Sequence, residues 1–170
     1  EQVAGMVLLD AQPTEAFERL PAYPAFVGVF RRISALLPSL ARLGVGRLVP
    51  RDRGLPEPAR DIPRLHHASP RLYRSQRDEF AEPPTSLAQA RSFQSLGDRP
   101  LVVVTATRDA LAGWLPLQAR MARSSTSSSY RLVPCTHDAL VTHRAAVEAS
   151  TQAIRDVVHA AWSATTLKKS

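Results

Sequence analysis

Three side chains capable of acid–base chemistry each follow a strand-like run. Asp10 closes the first run, Asp109 comes four residues after the second, and His137 comes four residues after the third. The runs are residues 3–9, 101–105 and 130–133. The first run is continuously apolar, which favours a strand buried on both faces, as in a parallel sheet. A histidine held by a carboxylate at the end of such strands could act as a general base and acid.

Each of these residues also has a purely structural interpretation. His137 could be a surface turn histidine, Asp109 the N-cap of a following helix, and Asp10 a turn aspartate that closes its strand. Asp138 is adjacent to His137 in the chain, but neighbouring side chains in a turn rarely meet in the geometry of a catalytic pair. We therefore do not consider Asp138 a candidate.

Helical patterns separate the three runs. Residues 14–98 contain several helical stretches and no convincing strand pattern, residues 115–123 form a short helical pattern, and residues 144–162 form the clearest helix. Strand–helix–strand units imply parallel pairing with right-handed crossovers. The sequence therefore predicts an α/β fold with a parallel sheet.

Two of the predicted helices have apolar faces. In the C-terminal helix, the residues predicted to face the core are Val147, Ser150 or Thr151, Ile154, Val157 or Val158, and Ala161. A helix over residues 26–43 has an apolar face of Phe30, Ile33, Leu36, Leu37, Leu40 and Leu43. This second face could pack inside the protein, line an acyl pocket or touch a membrane surface.

The order of elements resembles the C-terminal part of an α/β-hydrolase. Residues 99–109 resemble the family's strand and acid turn, 128–137 its last strand and histidine turn, and 145–162 its closing helix. Residues 3–10, Val-Ala-Gly-Met-Val-Leu-Leu-Asp, are similar to the strand that follows the nucleophile helix. The resemblance implies a partial α/β-hydrolase core of residues 1–13 and 99–170, with residues 14–98 as a helical cap insertion.

The resemblance also implies a chemistry: Ser-His-Asp hydrolysis of an ester or related acyl substrate, a small molecule. His137 takes the place of the family's base. Asp109 has the usual place of its acid, and Asp10 has a place that some members use instead, so both acids remain open. No Gly-Xaa-Ser-Xaa-Gly nucleophile elbow occurs around any of the seven glycines. We therefore expect the serine upstream of Glu1 and this chain alone to be inactive; the alternative is a non-catalytic binding or structural module of the same fold.

Composition and charge limit the classes of partner that are expected for this chain. The chain is 44% hydrophobic and 22% charged, as in globular proteins. Its formal net charge of +7 comes mostly from dispersed arginines, so nucleic acid is not an expected partner. No apolar run reaches the roughly 18 residues of a membrane span. The chain has no signal-peptide pattern, which favours a cytoplasmic location, with a signal or anchor in a segment upstream of Glu1 as the alternative. Oligomeric state is left open.

Cysteine and histidine usage predicts no metal or other cofactor. Cys135 is the single cysteine, which excludes an intrachain disulfide, and it is expected to be a small core residue. No Cys/His spacing typical of zinc sites occurs. The neighbouring His66 and His67 are predicted to be loop residues.

Overall fold

The computed structural model describes residues 3–48, 59, 62, 69–79, 83–93, 95–163 and 167. These residues form a mixed α/β structure, so the predicted α/β class is confirmed. The strands are β1 (Met6–Leu9), β2 (Leu101–Ala106) and β3 (Ser128–Val133). The described α-helices are α1 (Ala16–Arg19), α2 (Tyr23–Arg42), α3 (Pro70–Glu79), α4 (Pro83–Arg91), α5 (Trp114–Met121), α6 (Ala139–Thr142) and α7 (Arg144–Ser163).

The chain divides into two compact units. One comprises Glu1–Leu20 with Phe93–Ser170 and contains the sheet; the other is Pro21–Ser92. The helical unit is thus shorter at both ends than the predicted 14–98 insertion. Ala16 of α1 is fully buried in the sheet unit, and Leu96 donates a backbone hydrogen bond to Ser124.

The three strands form a parallel sheet in the order β1-β2-β3. The register pairs Met6 with Leu101 across β1 and β2, and Leu101 with Ser128 across β2 and β3. Every residue of β2 is buried, because the strand lies between the other two and is covered on both faces. All three strands therefore end at the same edge of the sheet.

The side chains of β2 point alternately to the two faces of the sheet and pack into two separate hydrophobic cores. Val102, Val104 and Ala106 face the cluster that includes α6 and α7, whereas Leu101 and Val103 pack with residues on the opposite face. Helix α7 lies very close to the sheet. A Cβ atom added at Gly5 would lie 2.6 Å from Val157 Cγ1, so glycine permits the approach of the helix.

Because of this close approach, the inner face of α7 differs from the predicted one. The helix buries Ala146, Ser150, Ala153, Val157 and Ala160. Ser150 and Val157 were predicted correctly, but Ile154 and Val158 are partly exposed on another side. Small side chains face the sheet because bulky ones would hold the helix farther away.

The helical unit is built on α2 and α3, which pack against each other. Helix α2 is continuous through Pro38 and buries Tyr23, Ser34, Pro38 and Ala41. Its predicted apolar face is not the buried one, since Ile33 and Leu36 are more than half exposed. Among the described residues, no helix is both long and apolar enough to cross a membrane.

An ion pair joins α7 to β3, and its strength should depend on pH. Arg131 Nη2 lies 2.6 Å from Asp156 Oδ2, and Gln152 donates to Asp156 Oδ1. Burial would raise the pKa of Asp156, but the hydrogen bonds from Arg131 and Gln152 outweigh it and the pKa is lowered. The pair's stabilisation is therefore complete above the ordinary carboxyl pKa of 3.8 and is lost as pH falls through the lower folded pKa.

We predict that Asp156→Asn lowers the free energy of unfolding by about 0.5–1 kcal/mol near neutral pH. The difference from wild type should shrink below pH 3.8, as measured by urea denaturation over a pH series. Glu148→Gln is the control, because Glu148 pairs with Arg144 only at 3.6 Å and both side chains are largely exposed. A difference for Asp156→Asn that does not change with pH would contradict this account.

Candidate active site at the carboxyl edge of the sheet

A hydrogen bond joins the turn after β1 to the turn after β3. His137 Nδ1 lies 2.9 Å from Asp10 Oδ2, although the residues are 127 positions apart in the chain. An ionised carboxylate can only accept, so a neutral imidazole in this position donates its Nδ1–H and carries its lone pair on Nε2. The His137 side chain is 68% exposed, whereas that of Asp10 is 8% exposed. A buried carboxylate thus holds an accessible imidazole.

The backbone at the end of β1 places the Asp10 carboxylate. Asp10 N donates to Val104 O at 2.7 Å, which continues the β1–β2 ladder by one residue. The next torsion departs from the strand, since Asp10 has a φ of +44°. This left-handed conformation costs a non-glycine residue on the order of 1 kcal/mol, although aspartate tolerates it better than most.

The second carboxylate oxygen is held by an indole. Trp114 Nε1 donates to Asp10 Oδ1 at 2.8 Å from the start of α5. Gly113 precedes it with a φ of +85°, and a Cβ atom there would lie 2.8 Å from Leu20 Cδ2. Glycine therefore lets the chain turn into α5 close to Leu20. With both oxygens bonded, the carboxylate has one orientation, and its burial is compensated.

A tight turn after β3 presents His137. Cys135 N donates to Val133 O at 2.8 Å, and Arg108 N donates to Cys135 O at 3.0 Å. The second bond ties this turn to the turn after β2. Leu140 N donates to His137 O at 3.3 Å as the chain enters α6. The histidine therefore follows a braced segment, and its ring extends from the sheet edge.

The other candidate acid lies elsewhere in the turn after β2. Asp109 is exposed, has a φ of +62°, and makes no hydrogen bond to His137. It is not a helix N-cap either, because Gly113 has that position for α5. Of the three residues that the sequence singled out, the structure brings Asp10 and His137 together and leaves Asp109 apart.

A buried polar network supports the loop after Asp10. Gln118 is fully buried; its Nε2 donates to Ala11 O at 2.6 Å, and its Oε1 accepts from Thr105 Oγ1 at 3.3 Å. Tyr130 Oη donates to Leu115 O at 3.1 Å, which holds the first turn of α5. These bonds fix α5, and therefore Trp114, relative to the loop after β1, to β2 and to β3.

The charge of Asp10 affects the pKa of two further side chains, Cys135 and Tyr130. Burial raises the pKa of the Cys135 thiol, and the charge of Asp10 raises it further against the opposing effect of Arg108. Burial also raises the pKa of Tyr130, with a smaller contribution from Asp10. Since thiol nucleophiles act as thiolates, the raised pKa argues against Cys135 as a nucleophile paired with His137. Cys135 lies in the core cluster.

Sequence reasoning missed Trp114 and Gln118. Each had one weak signal: a tryptophan whose N–H needs a partner at a helix start, and an amide on a helix that packs against a buried strand. Neither signal identifies the partner. Among the described residues, no group of three or more His, Cys, Asp or Glu side chains could hold a metal ion. His66 and His67 lie outside the described residues.

Comparison of the chain with protein-family models, with curated proteins and with solved structures finds no match. Function is therefore inferred from the chemistry of the site itself.

We predict that Trp114→Phe lowers the free energy of unfolding by about 1–3 kcal/mol, because it removes the donor to a buried carboxylate oxygen while keeping an aromatic ring. Urea denaturation measures the change. Trp162→Phe is the matched control, since Trp162 is 87% exposed and surface substitutions usually stay within about 0.5 kcal/mol. Equal effects of the two substitutions would show that the indole bond to Asp10 contributes nothing.

Proposed function

We propose that this chain supplies the general base and its orienting carboxylate to an α/β-fold serine hydrolase acting on an ester or related acyl substrate. The observation that carries the proposal is the hydrogen bond between His137 Nδ1 and Asp10 Oδ2. It leaves Nε2 of a mostly exposed ring as a proton acceptor at the carboxyl edge of a parallel sheet. This edge is where open α/β sheets place their ligands.

The topology supports the same proposal. Strands β1, β2 and β3 lie side by side in chain order, all parallel, with the acid after the first and the histidine after the third. An α/β-hydrolase ends with strands in this arrangement, and some members place the acid where Asp10 lies. Within the described residues, β1 pairs on one side only, so a further strand could join there.

In the proposed reaction, His137 Nε2 accepts the proton of a serine hydroxyl as its oxygen attacks the acyl carbon of the substrate. The imidazolium then donates that proton to the departing alcohol. Asp10 stays ionised, holds the ring in the Nδ1–H tautomer, and stabilises the imidazolium. Water hydrolyses the acyl intermediate by the same proton transfers in the same order. The serine and the oxyanion-hole donors would come from residues outside this chain.

Asp10 is the better assignment for the acid than Asp109. It is buried, it accepts from both His137 and Trp114, and its backbone continues the sheet ladder. Water exclusion around a carboxylate strengthens its interaction with an imidazolium. Asp109 is exposed, and a carboxylate in water offers a weaker and less oriented field.

A non-catalytic binding or structural module of the same fold is the second candidate. The chain contains no Gly-Xaa-Ser-Xaa-Gly sequence, and this observation favours it. The reading frame upstream of Glu1 distinguishes the two candidates. Such an elbow about 20–30 residues before Glu1, the length of a strand–helix unit, supports the hydrolase, and its absence supports the module.

We predict that, in the protein containing the upstream segment, His137→Ala lowers kcat/KM for ester hydrolysis by several powers of ten, because the serine loses its base. Asp10→Asn should cost somewhat less, about 10²- to 10⁴-fold, since Asp10 orients the ring rather than taking the proton. Labelling of the serine by a fluorophosphonate probe should slow in parallel.

Asp109→Asn is the matched control and should change kcat/KM by less than about threefold, as for an exposed side chain outside the site. Unchanged hydrolysis by His137→Ala would refute the catalytic assignment. A large loss with Asp109→Asn and none with Asp10→Asn would assign the acid to Asp109 instead.

A further inference from the structure

Helix α2 carries an exposed apolar stripe with a regular spacing. Its members recur at alternating intervals of three and four residues, which places them along one side of a helix. They are Phe26, Val29, Ile33, Leu36 and Leu40 on α2 and Leu43 directly after it, each between 39% and 79% exposed. The helix packs against α3 through a different side, with Tyr23, Ser34, Pro38 and Ala41 buried. The stripe is therefore an apolar surface that the packing of the helical unit does not use.

The sequence segment that carries the stripe has charges of one sign. Between Glu18 and Asp52 the sequence has six arginines and no acidic residue. Arg32 borders the stripe, because it lies three residues after Val29 and four before Leu36 on the helix surface. The charge imbalance extends over residues 21–92, which have 12 arginines and six acidic residues. Most of the formal net charge of +7 therefore belongs to this unit.

We propose that the α2 stripe docks on the surface of an anionic lipid bilayer, with its apolar side chains among the upper acyl chains and arginines at the phosphate level. An amphipathic helix with bulky apolar residues on one side and arginines beside it has the chemistry that this interface selects. Arginine can also lay its apolar stem along the stripe and keep its guanidinium at the headgroups. The inference does not depend on the proposed hydrolase activity.

A second copy of this chain fits the α2 stripe less well than an anionic bilayer does. Two such units would bring positive charges together beside the stripe, without an acidic residue on α2 to compensate. An anionic bilayer supplies both the apolar phase and the opposite charge.

The test is co-sedimentation of the 170-residue chain with vesicles of phosphatidylcholine alone or of phosphatidylcholine and phosphatidylserine in equal parts. We expect binding to the mixed vesicles, weakened by added salt, and much less binding to phosphatidylcholine alone. Ile33→Asp should lower the association constant for the vesicles by about tenfold or more, because an apolar side chain that inserts among the acyl chains is replaced by a charged one. Arg32→Gln should lower it about fivefold on mixed vesicles only.

The chain offers matched controls. Ile154 on α7 is 49% exposed, close to the 51% of Ile33, so Ile154→Asp has the same chemistry at a similar exposure. Arg155→Gln is the control for Arg32→Gln, since Arg155 is also exposed. Both controls should bind vesicles as wild type does. Far-UV circular dichroism checks folding, and Leu36→Asp, at a 64% exposed position, gives a second stripe variant.

Three results would overturn the proposal. The first is no binding, or equal binding to the two kinds of vesicle. The second is an equal loss for Ile33→Asp and Ile154→Asp. The third is a dimer in sedimentation that Ile33→Asp dissociates while vesicles are not bound; the stripe would then be an interface between copies of this chain.

Discussion

The buried carboxylate of Asp10 is the constraint on which the sheet edge is organised. A carboxylate removed from water must have its charge met by donors, and here the two oxygens take one donor each, from Trp114 and His137. These donors come from the start of α5 and from the turn after β3. Satisfying one side chain therefore fixes three segments that are far apart in the sequence. The same bonds orient the imidazole, so one interaction serves both stability and the proposed chemistry.

The surrounding structure makes this arrangement specific. Asp10 reaches its position through a left-handed backbone torsion that follows a regular ladder bond to Val104. Gln118 anchors the next carbonyl, that of Ala11, from inside the core. The hydrogen bonds of Trp114, His137 and Gln118 thus support the strained backbone at the candidate site, and such support from the surroundings is the usual way that a strained residue persists in a folded protein. Asp109 has a comparable torsion without such support, and it remains at the surface.

The sequence predicted β2 well because a strand buried on both faces is mostly apolar, and every residue of β2 is buried. It also located His137 and both acids at strand ends. It could not choose between the acids, since the choice depends on the Asp10 torsion and on a tryptophan 104 positions away. The inner face of α7 was partly misassigned because bulky apolar residues were expected inside, whereas the role of the apolar face on α2 was left open. On α7 the close approach at Gly5 selects alanine and serine instead, and on α2 the bulky residues form an exposed stripe.

The central claim is that Asp10 holds His137 in the Nδ1–H tautomer, and ¹⁵N NMR of the imidazole nitrogens tests it most directly. The chain is labelled at histidine, the His137 signals are assigned by their loss in His137→Gln, and spectra are taken where the ring is neutral. We expect a predominantly Nδ1–H ring in wild type and in Asp109→Asn, and a shift toward Nε2–H in Asp10→Asn, whose amide can donate to Nδ1. A predominantly Nε2–H ring in wild type, or a shift caused by Asp109→Asn and not by Asp10→Asn, would contradict the account.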